Sequence, residues 1–256
     1  MKKEDTLGLS LIETIQSSEL PEIGQDIAEI ALDSLLQDGA LKDIPIISTI
    51  IGTSKTISAI RDYFLIRKIW SFLQGIKDVG DKEKSKFIKD MEGDKNHRRE
   101  VGEKLIMLLD RLDDLSKPEM IAKLFKAHLK DKITLNEFFR FSSIIERVFI
   151  NDLTGLLKLL DDDMIQSGHP YTERLYHLGL SEIKFDDSIY QKIENGMDSM
   201  TLGKSPTFAR TSMFHEPIQF KLSEVAYVIA QILLEKKIYG NDYVATYRNQ
   251  RKFRKE

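Results

Sequence analysis

Between residues 116 and 137 the chain writes a helix-start signal twice, "SKPE" at 116–119 and "TLNE" at 134–137, each ahead of apolar residues at three- and four-residue steps. In such a capping box the Ser or Thr hydroxyl takes a first-turn amide, and the Glu three residues on reaches back to the amide of the cap. The spacing predicts one helix through Met120, Leu124, Phe125 and His128 and a second through "FFRFSSIIERVFINDLTGLLKLL". Just upstream, "VGEKLIMLLDRLDDL" places Val101, Leu105, Leu108, Leu109 and Leu112 on one side. Short connections between capped helices imply antiparallel helix pairs. The expected fold class is therefore mainly α: a helical domain with antiparallel helix pairs, plus a small C-terminal winged-helix-like α+β unit.

Nearer the N-terminus, "EIGQDIAEIALDSLLQ" at 22–37 carries Ile23, Ile27, Ile30, Ala31 and Leu35 on one face and is closed by Asp38 and Gly39. The next stretch, "DIPIISTIIGTSKTISAI" at 43–60, carries only Lys55 as a charge between Asp43 and Arg61, with Asp43 suited to N-cap a helix and Pro45 to its first turn. Its uncharged run from Ile44 to Ser54 is 11 residues long. A membrane-spanning helix needs about 20 apolar residues, so the stretch is too short to cross. Arg61, Asp62, Arg67 and Lys68 then interrupt a wide apolar stripe that ends near residue 76. Such a stripe suits a core helix or an interface. As an interface with a membrane or another subunit it would use Ile46, Ile50, Ile57, Ile60, Tyr63, Phe64 and Trp70, with Arg67 and Lys68 meeting anionic headgroups.

Residues 77–100 hold eight basic and seven acidic residues and few apolar ones, as expected of a charged connection. The domain organisation read from the sequence is an N-terminal helical region 1–76, the connection 77–100, a helical bundle 101–165, a winged-helix-like unit 166–247 and a basic tail 248–256. With 256 residues the chain can bury a substantial core. A formal charge of −3 argues against a surface built wholly for nucleic acid and confines any basic patch to a local site. The absence of cysteine fits a reducing cytoplasm, and Glu4, Asp5 and Glu13 interrupt what would be the apolar core of an export signal. A cytoplasmic protein, peripheral on the inner membrane if it meets lipid at all, is expected.

Motifs for chemistry fail on spacing. "GTSKT" at 52–56 puts Ser54 where a phosphate-binding loop needs Gly, and "GKS" at 203–205 has Gly196 seven positions before Gly203 instead of five. "KAHLKDKITLNE" places Lys126, His128 and Lys130 where a calcium loop needs oxygen ligands. Asp161, Asp162 and Asp163 point in different directions on a helix, and the five histidines form no i, i+4 pair. No Gly-x-Ser-x-Gly turn marks a nucleophile. The expectation is a protein without catalytic residues, metal or cofactor.

Beyond residue 161 the pattern changes to a short helix ending near Gly179, a strand-like "SEIKF", a polar stretch at 186–216, and "IQFKLSEVAYVIAQILLEKK", which starts extended and turns helical after Ser223. Helix, strand, long loop, strand, helix is a winged-helix-like order. The tail "YRNQRKFRKE" offers Arg248, Arg251, Lys252, Arg254 and Lys255 for phosphates, or simply a solvated terminus.

At "LYHLGLSEIKF" and "IQFKLSEVAYVIAQILL", covering about the last third of the chain, the sequence resembles the C-terminal part of bacterial abortive-infection proteins of the Abi-alpha type. In those proteins a Leu-Gly-Leu helix end leads through a hairpin to a Leu-Thr/Ser helix; where many winged-helix domains have Gly shortly afterwards, this chain has Val225 and Ala226. The resemblance implies a phage-defence context. The function expected is a non-enzymatic defence protein acting through membrane contact or self-association, as a homo-oligomer or with a partner protein. The alternative is a nucleic-acid-binding regulator using residues 171–256.

Overall fold

The computed structural model of the protein describes residues 3–17, 41, 44–53, 60–91, 95–161, 173–184 and 219–253. These residues form ten α-helices and one two-stranded antiparallel sheet, so the fold is mainly α. In chain order the helices are α1 (Lys3–Gln16), α2 (Pro45–Thr53), α3 (Ile60–Gly75), α4 (Asp81–Lys89), α5 (Lys95–Arg111), α6 (Lys117–Leu129), α7 (Leu135–Arg147) and α8 (Ile150–Asp161). A short 3₁₀ turn (Tyr176–Leu178), β1 (Ser181–Lys184), β2 (Gln219–Leu222), α9 (Glu224–Leu234) and α10 (Tyr243–Phe253) follow. The expected helix at 22–37 and the cap at Asp43 lie outside the described residues. Two compact units emerge, divided between Ile150 and Asn151 and again between Tyr243 and Val244, so that the chain after residue 243 rejoins the first unit.

The first unit is built on close helix crossings. A methyl group on Gly102 of α5 would stand 2.1 Å from the Gly8 carbonyl oxygen of α1, and one on Gly8 would stand 2.8 Å from the Arg99 carbonyl. Backbone therefore lies directly against backbone. A polar seam joins α1 to α2: the buried Thr14 hydroxyl donates to the Ser10 carbonyl (2.7 Å) and accepts from the Ile46 amide (3.1 Å). That amide belongs to the first turn of α2, where no intrahelical acceptor exists. α2 does start at Pro45, in agreement with the missing donor of proline.

The core between α3, α4, α6 and α7 is aromatic. Phe125 meets Phe72 at 5.4 Å, Phe87 at 5.2 Å and Phe138 at 5.2 Å, the last two edge to face. Each such pair adds about 0.5–1.5 kcal/mol beyond its burial. Residues 77–100, expected as a charged connection with room for a partly ordered helix, carry α4 and the start of α5. The reason is a minority of apolar side chains, Val79, Phe87, Ile88 and Met91, that are buried, together with the covered Lys84, while most of the described charges stay at the surface.

The two capping signals part company. At Thr134 the box forms in full: the hydroxyl accepts from the Glu137 amide (3.2 Å) and the Glu137 carboxylate accepts from the Thr134 amide (2.7 Å). The box expected at Ser116 does not form, because Asp114 Oδ1 takes both the Ser116 amide (2.8 Å) and its hydroxyl (2.6 Å). The neighbouring Lys117 is instead the functional residue of that start. Its side chain is 0% exposed, and Nζ donates to Asp113 Oδ1 (2.5 Å) and to the carbonyls of Glu146 (2.9 Å) and Val148 (2.8 Å). With those carbonyls held, Val148 is extended (ψ 137°), and the run expected as one helix from 138 to 160 is split into α7 and α8.

In the second unit β1 and β2 pair with Ser181 opposite Leu222 and Ile183 opposite Phe220. Gly179 (φ 73°) ends the 3₁₀ turn in the left-handed conformation that glycine tolerates. Ser223 locks the next helix to it: its hydroxyl donates to the Gly179 carbonyl (2.7 Å) and accepts from the Ala226 amide (3.3 Å) as N-cap of α9. The helix, strand, strand, helix order read from the sequence is present, and residues 185–218 between the strands lie outside the described residues.

Two measurements test this packing. Gly102→Ala should lower unfolding stability by about 1–3 kcal/mol in denaturant titration, since α1 and α5 must separate. His128, stacked among Phe87, Phe125 and Phe138 with Nδ1 donating to the Ile133 carbonyl (3.1 Å), is held below its ordinary value near 6.5 by burial, against the pull of that bond and of Asp131 and Asp90. The unfolded chain therefore takes the proton first. Stability due to His128 is complete above about pH 6.5 and is lost as pH falls through the depressed native value. His128→Gln should flatten that part of the stability-versus-pH curve.

Candidate functional site

A hollow of about 790 Å³ opens on the first unit where the start of α3 meets the turn between α5 and α6. Arg61, Phe64 and Lys68 line it from α3, at spacings of three and four residues that put them on one helix face. Asp110 at the end of α5 and the turn residues Leu112, Asp113, Asp114 and Leu115 close the other side. Asp110 is the hub. Arg61 grips its carboxylate with two donors, Nε at 3.3 Å and Nη2, while Lys68 Nζ donates to its backbone carbonyl at 2.8 Å.

The turn is equally tied. Asp114 is spent on Ser116, whose two donors hold its carboxyl below the usual carboxylate range. Asp113 lies 68% exposed in the hollow and gives one oxygen to the buried Lys117. Lys68 is half-buried, and loss of water lowers its pKa against the pull of Asp110 and Asp113. Over this polar floor stand two apolar side chains in water, Phe64 at 40% exposure and Leu115 at 39%. Tyr63 packs edge-on to Phe64 at 5.8 Å. The hollow thus offers fixed charges and apolar contact area side by side.

The residues expected at an interface are dispersed. Ile46, Ile50 and Trp70 are buried in the core, because α2 and the second half of α3 turn those positions inward. Tyr63 and Arg67 are half-buried, and Ile60 opens α3. Ile57 lies outside the described residues. Phe64 and Lys68 alone of that set line the hollow. Of the tail, Arg248 is exposed on α10, Arg251 and Lys252 lie within the same helix, and Arg254 and Lys255 fall outside the described residues. The sequence reading missed Arg61, Asp110, Asp113, Asp114 and Leu115. The signal that would have found them is the row Arg61, Phe64, Lys68 on one helix face opposite an Asp-rich turn.

Among the described residues no group of three or more His, Asp or Glu is arranged to hold a metal ion, and no helix is long and apolar enough to cross a membrane. Compared with protein families, with curated proteins and with solved structures, the chain finds no match.

Proposed function

We propose that the chain is a non-enzymatic protein of bacterial phage defence that acts by self-association, using the hollow beside Phe64 as its contact face. The observation that carries this reading is the pairing of two exposed apolar side chains, Phe64 and Leu115, with a polar floor already fixed by internal bonds. A preorganised site of that kind orders few new side chains on binding. The defence context rests on the resemblance of the Leu-Gly-Leu and Leu-Ser segments.

The hollow also carries opposite charges on its two sides. Its α3 side carries Arg61 and Lys68, and its turn side carries Asp113 and Asp114. In a twofold pair the α3 side of one copy would face the turn side of the other, so that the exposed parts of Arg61 and Asp113 would be of opposite sign across it and each Phe64 would meet the opposite hollow. Membrane contact is less well supported, because Ile46, Ile50 and Trp70 already serve the interior.

Sedimentation equilibrium across a concentration series tests the proposal with the wild type and Phe64→Asp. The wild type should associate, whereas the variant should stay monomeric with its stability within about 1 kcal/mol of wild type, since the replaced ring is exposed. A wild type that is monomeric throughout, or a variant that associates equally well, would contradict it.

A further inference from the structure

Single apolar side chains scattered over a surface are ordinary, whereas a gathering of them marks a place where something binds. Among the described residues, the large apolar side chains that the first unit leaves exposed are Phe64, Met107, Leu115 and Phe149. Phe64 and Leu115 line the hollow. Met107 on α5 is 57% exposed and Phe149, in the link between α7 and α8, is 60% exposed, and neither belongs to the hollow.

Bonds within the unit bring all four to the same end. Met107 stands three residues before Asp110 and four before Arg111, which places it on one face of α5 with both. Asp110 ties that face to α3 through Arg61. Arg111 ties it to α7: Nη2 donates to one Glu146 carboxylate oxygen at 3.1 Å, and Nε stands 2.8 Å from the other. Phe149 follows three residues after Glu146, next to Val148, whose carbonyl accepts from Lys117 at 2.8 Å. Lys117 is itself two residues from Leu115.

The chemistry of this end suits a protein surface as its cover. Methionine, aromatic residues and arginine are the types enriched where proteins meet. The two-point Arg111 and Glu146 pair supplies its own hydrogen bonds, so covering it leaves no donor unmatched. Size favours a second copy over the hollow alone. The hollow is lined by eight residues, whereas a stable contact between two proteins engages about 20–30 on each side. Association through Phe64 therefore needs more surface, and Met107 and Phe149 are the remaining exposed apolar side chains of the described first unit.

Building on self-association through Phe64, we propose that the second copy also covers Met107, Phe149 and the Arg111 and Glu146 pair. Sedimentation equilibrium of the full chain tests this with wild type, Phe64→Asp, Met107→Ser, Met107→Leu and Phe149→Ser. Each serine variant should weaken association about tenfold, because an interface side chain is lost from both copies at once. Met107→Leu keeps the apolar area and should associate like wild type. Melting temperatures should stay within about 4 °C of wild type, since the replaced side chains are exposed. Association of either serine variant at wild-type strength, while Phe64→Asp is monomeric, overturns the extension and leaves the contact confined to the hollow. A monomeric wild type overturns both. A larger fall in melting temperature in either serine variant assigns that side chain to the fold and overturns the extension as well. Vesicles of phosphatidylcholine and phosphatidylglycerol identify a lipid cover: vesicle binding lost in the serine variants with association intact overturns the second copy as the occupant.

Discussion

The first unit depends on one ammonium group from which water is excluded. Lys117 brings its charge into the interior at the start of α6, and three oxygens receive it: a carboxylate oxygen of Asp113 and the carbonyls of Glu146 and Val148. A lysine ammonium has three protons, so these three acceptors satisfy it fully. Two of them belong to the C-terminal end of α7, where unpaired carbonyls and the helix dipole favour a cation. One side chain therefore sets where α6 begins, where α7 ends and how the turn before α6 is folded.

The contact face inherits that geometry. Asp113 is bound inward to Lys117 and Asp114 to Ser116, which leaves Leu115, between Asp114 and Ser116, projecting into water opposite Phe64. Across the hollow, Asp110 performs the same service for α3 by engaging Arg61 and Lys68 together. The polar groups of this region are thus committed to the fold before any partner arrives. In the second unit the arrangement differs: Ser223 and Gln231 fix the helices, the latter by accepting from the Tyr243 amide (2.7 Å) and donating to Asp242 (2.8 Å).

How much of this was legible in the sequence follows from what kind of force is at work. Periodicity reports burial, so the helices through Leu105 and Leu124 and the extended-to-helical change at Ser223 could be read directly, whereas the break between α7 and α8 and the helix α10 could not. A capping box reports a local hydrogen bond, yet "TLNE" and "SKPE" look alike, and only the presence of Asp114 two residues before Ser116 separates them. Lys117 was invisible because a lysine in a polar turn reads as solvated unless its distant acceptors are known. The Gly8 and Gly102 contact was equally hidden, since two glycines 94 positions apart announce no pairing. The apolar stretch at 43–60 was legible as too short for a membrane, whereas the inward direction of Ile46 and Ile50 required the α1 seam.

The measurement that bears most directly on this account is the unfolding free energy of Lys117→Met, by denaturant titration against wild type. Methionine fills nearly the same space but donates nothing, so the variant isolates the ammonium from its volume. The account predicts a loss of about 2–4 kcal/mol, because the carbonyls of Glu146 and Val148 stay buried without this donor. A variant as stable as wild type, or more stable, would show that desolvation of the charge cancels its bonds and that the unit does not depend on Lys117.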